Sequence, residues 1–336
     1  MPLRVVEVIV PEDSVFEVQQ ALKESHAFSQ WCCDSDGGCK IVKALLDSDN
    51  VEMTLDLLNK RFSFDEDFRV IVYPLEATVP WPTPEQSEAA KKVVKRRGFG
   101  VLSRISREEV YHDVCDVTKL TWIFIAMVAL STVVAAVGLI RGNIAVVIGA
   151  MVIAPLLGPN VGFSLATTLG DIKLARTAVK TNLIGFVVAL IPSIIIGLIP
   201  AVNTHAPEIL SRTQVGLPDI ALALAAGCAG CLAFTTGTSA TLVGVMVAVA
   251  ILPPLVAFGL LVGAAEWTLA LGAFLLLVTN VICVNLAGVC TFLFQGIRPA
   301  TWWEKEKASR ATWIAISFWV VLLAVLAAVI LIAQRN

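Results

Sequence analysis

The sequence predicts a polytopic α-helical membrane protein with a small α+β domain at its amino-terminal end. Of the 336 residues, 57% are hydrophobic and 15% are charged, and the mean hydropathy is +0.80. Soluble domains average about 45–50% apolar and about 25% charged residues. Residues 1–119 hold 21 of the 27 acidic residues, which indicates a water-soluble unit before a membrane unit. Finally, segments 143–171 and 238–266 resemble each other at a constant offset of 95 residues without a gap.

Residues 1–80 predict a cytoplasmic ferredoxin-like domain. Segments in which apolar and polar residues alternate, or which are rich in Val and Ile, predict strands at 3–10, 28–33, 39–46 and 68–75. Apolar residues at helical spacing predict helices at 12–25 and 51–62. The resulting order, βαββαβ, is that of the ferredoxin-like sandwich. Two interpretations of its role stay open: the domain senses a ligand, or it only folds, dimerises or docks, because a fold alone does not decide function.

The cysteines of this domain do not predict a metal site. Cys32 and Cys33 are adjacent, Cys39 follows after a five-residue gap, and no histidine lies between them, which is not the spacing of paired zinc ligands. No signal peptide is recognised at the start of the chain, so we expect the domain to stay in the cytoplasm, where disulfides are rare. We therefore expect no metal and no cofactor.

Residues 81–119 predict a basic linker or helix next to the membrane, which follows the proline-rich segment 78–84. Its basic residues are Lys91, Lys92, Lys95, Arg96, Arg97, Arg104, Arg107 and Lys119. Nucleic-acid binding is one interpretation of such a run. Its position just before the first apolar segment favours anionic lipid head groups instead, and we expect no nucleic-acid partner.

The membrane domain, residues 120–336, is predicted to cross the bilayer about seven times. The predicted spans are 120–140, 143–169, 180–201, 217–236, 238–264, 268–295 and 311–333. With the amino terminus inside, the cytoplasmic segments contain fifteen Lys and Arg residues and the outer segments only Arg141, Arg212 and Arg335. By the positive-inside rule, this bias predicts a multi-pass protein of the cell (inner) membrane with a cytoplasmic amino terminus.

The offset of 95 residues maps the first three spans onto the next three. The repeats are residues 120–201 and 215–296. Because each contains an odd number of spans, the two copies enter the membrane from opposite sides, as in transporters built from inverted repeats. The last span, 311–333, has no partner and is expected to serve packing or assembly of a homo-oligomer.

Prolines near the middle of the second and fifth spans predict two broken helices. Each proline removes a backbone donor, and the freed groups must be buried in protein or line a cavity. Simple kinks are the alternative. We expect a solute site at Pro155, Gly158, Pro159, Asn160, Leu252, Pro253, Pro254, Thr236 and Thr238. Asp171 and Glu266 match each other in the repeats and are candidates for gating, or for capping and pairing at an interface.

Two segments resemble a known family. They are GAMVIAPLLGPNVG (Gly149–Gly162), followed by Asp171, and FRVIVYPLEATVPWP (Phe68–Pro82). The first is similar to domain-of-unknown-function family 389, hydrophobic membrane proteins of bacteria and archaea, and the second to the cytoplasmic module that often precedes that domain. The resemblance covers about Leu3 to Gly296 and implies no substrate, cofactor or catalytic residue.

These observations favour a membrane transporter or channel-like protein for a small uncharged or anionic solute. Its cytoplasmic domain would regulate it or help it to oligomerise. The alternative is a sensor or scaffold anchored in the membrane that transports nothing. We expect no enzymatic activity and no catalytic residue, because no nucleophile pairs with a histidine and the three histidines lie outside the predicted spans.

Overall fold

The structure is a computed structural model that describes residues 3–34, 39–62, 68–76, 78, 105–200, 203–204, 206–236 and 240–297, and the single positions 317, 320, 321 and 324. For residues 240–250 it describes the backbone only. The chain divides into two compact units, Met1–Val110 and Tyr111–Asn336.

Among its described residues, the first unit contains a four-stranded antiparallel sheet, two α-helices, a 3-10 turn at Glu12–Ser14 and the start of a third α-helix. Its elements are β1 (Leu3–Pro11), α1 (Val15–Glu24), β2 (Ser29–Asp34), β3 (Cys39–Asp47), α2 (Ser48–Phe62) and β4 (Arg69–Leu75). The strand order is β2-β3-β1-β4. The four predicted strands and both predicted helices are thereby confirmed within a few residues.

The core of this unit lies between one face of the sheet and the two helices. In β1, Val6, Val8 and Val10 are fully buried and alternate with partly exposed residues, as expected for a strand with one buried face. Val18 of α1 and Leu58 of α2 are also fully buried and belong to the same apolar cluster.

Helix α3 (Arg107–Thr118) begins in the first unit, and its start is held by polar contacts. The backbone N–H of Ser106 donates to Glu109 Oε2 at 3.0 Å and the N–H of Glu109 donates to Ser106 Oγ at 3.3 Å, which is a capping box. Arg4 Nε donates to the same carboxylate at 2.8 Å, and Arg107 Nη2 donates to Asp56 Oδ1 at 3.0 Å. The amino-terminal turn of α3 is therefore fixed to the sheet and to α2.

The second unit is a bundle of apolar helices. They are α4 (Trp122–Ile140), α5 (Ile144–Ile153), α6 (Leu157–Leu169), α7 (Ile172–Gly197), the short α8 (Pro207–Leu210), α9 (Leu217–Thr236), α10 (Ala240–Gly263) and α11 (Trp267–Phe294). Four of the described helices are long and apolar enough to cross a membrane, and the bent pair α5–α6 makes a fifth candidate. The chain is therefore a multi-pass membrane protein. The predicted span 311–333 lies outside the described residues except for the single positions already named.

One expectation about the backbone is wrong. Pro253 and Pro254 do not break their helix, because α10 runs without interruption from Ala240 to Gly263. The residues around them, including Leu252 and Leu255, are fully buried, and α10 packs against α7 and α11. Close packing on both sides holds the backbone helical and outweighs the local cost of proline, as in other membrane helices.

Helix boundaries recur at the offset of 95 residues. Helices α4 and α9 begin at Trp122 and Leu217, and α7 and α11 begin at Ile172 and Trp267. The turns before α7 and α11 also correspond. Gly170 has φ +72° and Ala265 has φ +60°, a conformation that is uncommon for a residue other than glycine.

The hydrogen bonds of these two turns match as well. The N–H of Asp171 donates to the carbonyl of Ala166 at 2.9 Å, and the N–H of Glu266 donates to that of Leu261 at 3.0 Å. Both bonds close a turn of the kind that ends a helix with a left-handed residue. Two segments with different sequences thus form the same turn at corresponding positions.

Candidate functional site

The second predicted span is broken at the predicted place. Helices α5 and α6 are long and apolar enough for a span only as a pair, and they differ in direction by 54°, as in a broken span or a re-entrant loop. Ala154, which precedes Pro155, is extended with ψ 117°. Proline disfavours helical geometry in the residue before it and cannot donate to the carbonyl four residues earlier. Pro155 therefore accounts for the break.

A cavity of about 330 Å³ lies beside this break. It is lined by Asp116, Val117, Lys119, Thr121, Ile123, Phe124, Met127, Val152, Ile153, Ala154, Pro155, Leu157, Gly158 and Phe234. Two of the predicted site residues, Pro155 and Gly158, are among them. Most of the lining is apolar, so the cavity suits a molecule with little or no charge.

The two charged residues of the lining pair with each other. Lys119 Nζ lies 2.7 Å from Asp116 Oδ1. The hydrogen bond between them lowers the pKa of Asp116 and raises the pKa of Lys119, so both groups are ionised at neutral pH. The pair leaves the lining of the cavity with no net charge.

Asn160 is fully buried and does not line the cavity. Its Nδ2 donates to the carbonyl of Leu156 at 2.8 Å and to Asn182 Oδ1 at 3.1 Å. Its Oδ1 accepts from Asn285 Nδ2 at 3.2 Å. The three asparagines belong to α6, α7 and α11, so the network ties these helices together in an apolar environment, where each unpaired polar group would be costly.

The carboxyl-terminal end of α3 packs against α6. Thr118 is fully buried, and its hydroxyl donates to the carbonyl of Val114 at 2.6 Å and lies 3.4 Å from that of Gly158. A methyl group at Gly158 would lie 2.5 Å from the carbonyl oxygen of Val117, and one at Gly162 would overlap the Thr118 side chain. The small residues, spaced as in Gly-xxx-Gly, permit this close approach.

Sequence reasoning missed Val117 and Thr118 as parts of this region. The available signal was the spacing of Gly158 and Gly162, which is typical of a surface where another helix packs closely. That spacing does not say which helix packs there, and the partner lies 40 residues earlier in the chain.

The other predicted site residues lie elsewhere. Leu252, Pro253 and Pro254 are buried in α10 and are not among the described lining residues of the cavity. Thr236 is exposed at the end of α9, where its hydroxyl donates to the carbonyl of Ala233 at 3.2 Å. Thr238 lies outside the described residues.

The matched acids Asp171 and Glu266 occupy the N-cap positions of α7 and α11. Asp171 Oδ1 accepts from the N–H groups of Lys173 at 2.9 Å and Leu174 at 3.1 Å, and Oδ2 accepts from Tyr111 Oη at 2.6 Å. The Glu266 side chain makes no capping hydrogen bond with the described residues. The two positions correspond, but only Asp171 caps its helix.

The pKa values of the Tyr111–Asp171 contact follow from this geometry. Partial burial acts to raise the pKa of Asp171, but the hydrogen bonds from Tyr111, Leu174 and Lys173 outweigh it and leave that pKa below its usual range. The bond to Asp171 holds the pKa of the Tyr111 phenol well above its usual range. Tyr111 therefore stays protonated as a donor, and Asp171 stays ionised as an acceptor.

Comparison with known proteins identifies the family. Residues 151–286 match the model described as "Domain of unknown function (DUF389)". The chain is also 33% identical over 322 residues to the uncharacterized protein MJ0678 of Methanocaldococcus jannaschii, an alignment that covers 96% of this chain and 97% of that protein. The chain belongs to the DUF389 family. No solved structure matches the chain.

The DUF389 match covers only part of the region around the break. It contains the break at Pro155, the asparagine network and both acids of the repeat. The α3 residues that pack on α6 and the α4 residues that line the cavity precede it. The alignment with the archaeal relative, in contrast, extends over nearly the whole chain.

Proposed function

We propose that this protein is a transporter or channel-like protein that moves a small solute across the bilayer at the broken α5–α6 span. The observation that carries this proposal is the cavity beside the break, which brings Pro155 and Gly158 together with residues of α4 and α9. In membrane proteins, irregular backbone is tolerated where it is buried or lines a cavity, and transporters place such breaks at their binding sites.

The lining favours an uncharged solute over an anionic one. The ion pair of Asp116 and Lys119 leaves the lining without net charge, and its other residues are mainly apolar. A charged solute would lose its hydration without gaining a charged partner. We therefore narrow the solute to a small uncharged molecule.

Two contacts support a two-fold relation between the two repeats that the proposal uses. Ser164 of α6 packs on Gly288 of α11, where an added methyl group would lie 2.6 Å from Ser164 Oγ. Ser193 of α7 packs on Gly259 of α10, where an added methyl group would overlap the serine Cβ. The offset of 95 residues converts one pair into the other, so each repeat places the same helix faces against its partner.

Other observations support the roles that we propose for the rest of the chain. The strand order β2-β3-β1-β4 and the two helices of the first unit fit a ferredoxin-like domain that regulates the transporter or helps it to form a homo-oligomer. The bias of Lys and Arg toward one side supports a cytoplasmic amino terminus in the cell (inner) membrane. We propose that the protein has no enzymatic activity.

A sensor or scaffold that transports nothing is the second candidate. Its supporting observation is the asparagine network, in which Asn160 contacts other side chains and does not line the cavity. In that case, the contact of Thr118 with Gly158 and Gly162 would relay changes between α3 and the broken span without any solute.

A flux measurement separates the two candidates. The full chain is reconstituted in liposomes, and osmotic swelling is followed with glycerol and urea as uncharged probes and formate as an anionic probe. We expect uncharged probes to enter faster than into protein-free liposomes. Equal rates for all probes with and without the protein would refute transport.

Tryptophan substitutions test whether the solute pathway runs through the cavity. Met127 lines the cavity, whereas Leu130 lies on the same helix, is 64% exposed and does not line it. We expect Met127→Trp to fill the cavity and abolish most of the flux, and Leu130→Trp to leave it unchanged. A loss of flux that is equal in both variants would place the pathway elsewhere.

A further inference from the structure

Helix α7 is longer than a membrane span needs to be, and its charges lie at one end. Its 26 residues extend over about 39 Å, compared with a hydrocarbon core of about 30 Å. Lys173, Arg176 and Lys180 lie in the first turns, and residues 181–197 contain no charged side chain. The basic turns therefore belong at the depth of the lipid head groups.

A shallow, open groove of about 560 Å³ lies along the exposed side of these turns, and all of its lining residues belong to α7. Its lining includes Arg176 and Lys180, together with Ile172, Val179, Leu183 and Ile184. Ile172 is 66% exposed and Leu183 is 60% exposed. The groove thus combines a cationic part with an apolar part that continues toward the middle of the helix.

The two cations of the groove have no anionic partner among the described residues. Arg176 and Lys180 are four residues apart and share one side of the helix. Asp171, the nearest acid on this part of the chain, already accepts from Tyr111 and from two backbone N–H groups. Neither cation forms an ion pair with a described side chain, so their charge is available to a ligand.

We propose that this groove, defined by Ile172, Ala175, Arg176, Val179, Lys180, Leu183 and Ile184, binds an anionic phospholipid. The guanidinium of Arg176 and the ammonium of Lys180 hold the phosphate and the acidic head group. The acyl chain lies on Val179, Leu183 and Ile184. A soluble phosphate would use only the cationic part of the groove, so the exposed apolar residues favour a lipid.

Native mass spectrometry of the full-length protein in a mild detergent tests the proposal. The probes are phosphatidylglycerol and phosphatidylcholine, added at equal concentration. We expect the protein to retain phosphatidylglycerol in preference, and the R176Q/K180Q double variant to bind it roughly 30-fold more weakly, since each basic residue near anionic lipid contributes about 1 kcal/mol. Unchanged retention in the double variant would overturn the proposal.

Lys173→Gln is the matched control, because Lys173 is exposed on the same end of α7 but does not line the groove. The Lys173→Gln variant should retain more phosphatidylglycerol than the Arg176→Gln variant does. Equal losses would mean general attraction to a basic surface and would refute a groove-specific site. Thermal stabilisation by inorganic phosphate as large as that by phosphatidylglycerol would likewise show a soluble anion site. These measurements involve no flux, so their outcome is independent of the transport proposal.

Discussion

At the scale of single residues, the matched acids of the two repeats offer a controlled comparison. Asp171→Ala removes the acceptor for two backbone N–H groups and for Tyr111, so it should lower the free energy of unfolding by about 1 kcal/mol, as for other lost N-caps. Glu266→Ala removes no capping bond and should change it little. Thermal unfolding in detergent measures both effects. Equal losses of stability would contradict the conclusion that only Asp171 caps its helix.

The same carboxylate predicts a pH dependence. Because the pKa of folded Asp171 lies below its usual value of 3.8, its contribution to stability is present above that value and is lost as the pH falls through the folded-state pKa. The stability difference between the unmodified protein and Asp171→Ala should therefore be constant near neutral pH and shrink in strong acid. A difference that grows on acidification would show that the pKa is raised instead.

The residue scale also shows what sequence patterns omit. The repeat alignment pairs Asp171 with Glu266, and the pairing is visible in their N-cap positions. Their hydrogen bonds differ because Tyr111, which completes the contact at Asp171, belongs to neither repeat. Similarly, Asn160 was expected at a solute site, but two asparagines on other helices satisfy its amide, and their proximity follows only from packing.

At the scale of helices, proline has opposite outcomes in the second and fifth predicted spans. The offset of 95 residues aligns Pro155 with Ala250, whereas Pro254 aligns with Pro159, which lies inside α6. Both Pro155 and Pro253–Pro254 were expected to break their spans, and only the first does. Local rules predict the loss of a hydrogen bond at each proline, but not whether neighbouring helices hold the backbone straight. The burial of α10 between α7 and α11 is a tertiary property that the local sequence does not contain.

This difference predicts the effects of removing the prolines. Pro155→Ala restores a backbone donor at the break, so it should reduce the bend and close the cavity beside it. Pro253→Ala, in a helix that is already continuous, should leave the cavity open. Thiol labelling of Ile153→Cys, a cavity residue, in a background without other cysteines measures the opening. We expect slower labelling only with Pro155→Ala. Equal labelling in both variants would mean that the opening of the cavity does not depend on the helix break at Pro155.

The contact between α3 and α6 predicts a compensating pair. Gly162→Ala should destabilise the protein by about 1–3 kcal/mol, because the new methyl group overlaps Thr118. Adding Thr118→Ala removes the overlapping hydroxyl and methyl groups and should restore part of the loss. Gly149→Ala is the control, since its methyl group would meet no atom within 4 Å. Additive losses in the double variant would mean that the two residues do not interact.

At the scale of the whole molecule, composition and charge predicted the division into a sheet-containing unit and an apolar helical unit. These features reflect the solvent of each part, water or lipid, and are therefore readable from the sequence. The constant offset also located corresponding helix starts and turns, although one of the two turns uses alanine with a positive φ. The cavity was less predictable, because it combines residues of α3, α4 and α9 with the break.

The proposed inverted repeat makes a prediction about which side of the membrane each repeat faces. Lys173 and Thr268 correspond at the offset of 95 residues, and both are exposed in the first turn of α7 or α11. If three spans separate equivalent positions, these two residues must face opposite sides of the membrane.

Single cysteines at Lys173 and Thr268, in a background without other cysteines, are labelled in sealed, oriented vesicles with a membrane-impermeant maleimide. We expect Lys173→Cys to react from the cytoplasmic side and Thr268→Cys from the other. Reaction of both cysteines from one side would mean that the repeats share one orientation and are related by an axis along the membrane normal, which would refute the inverted repeat.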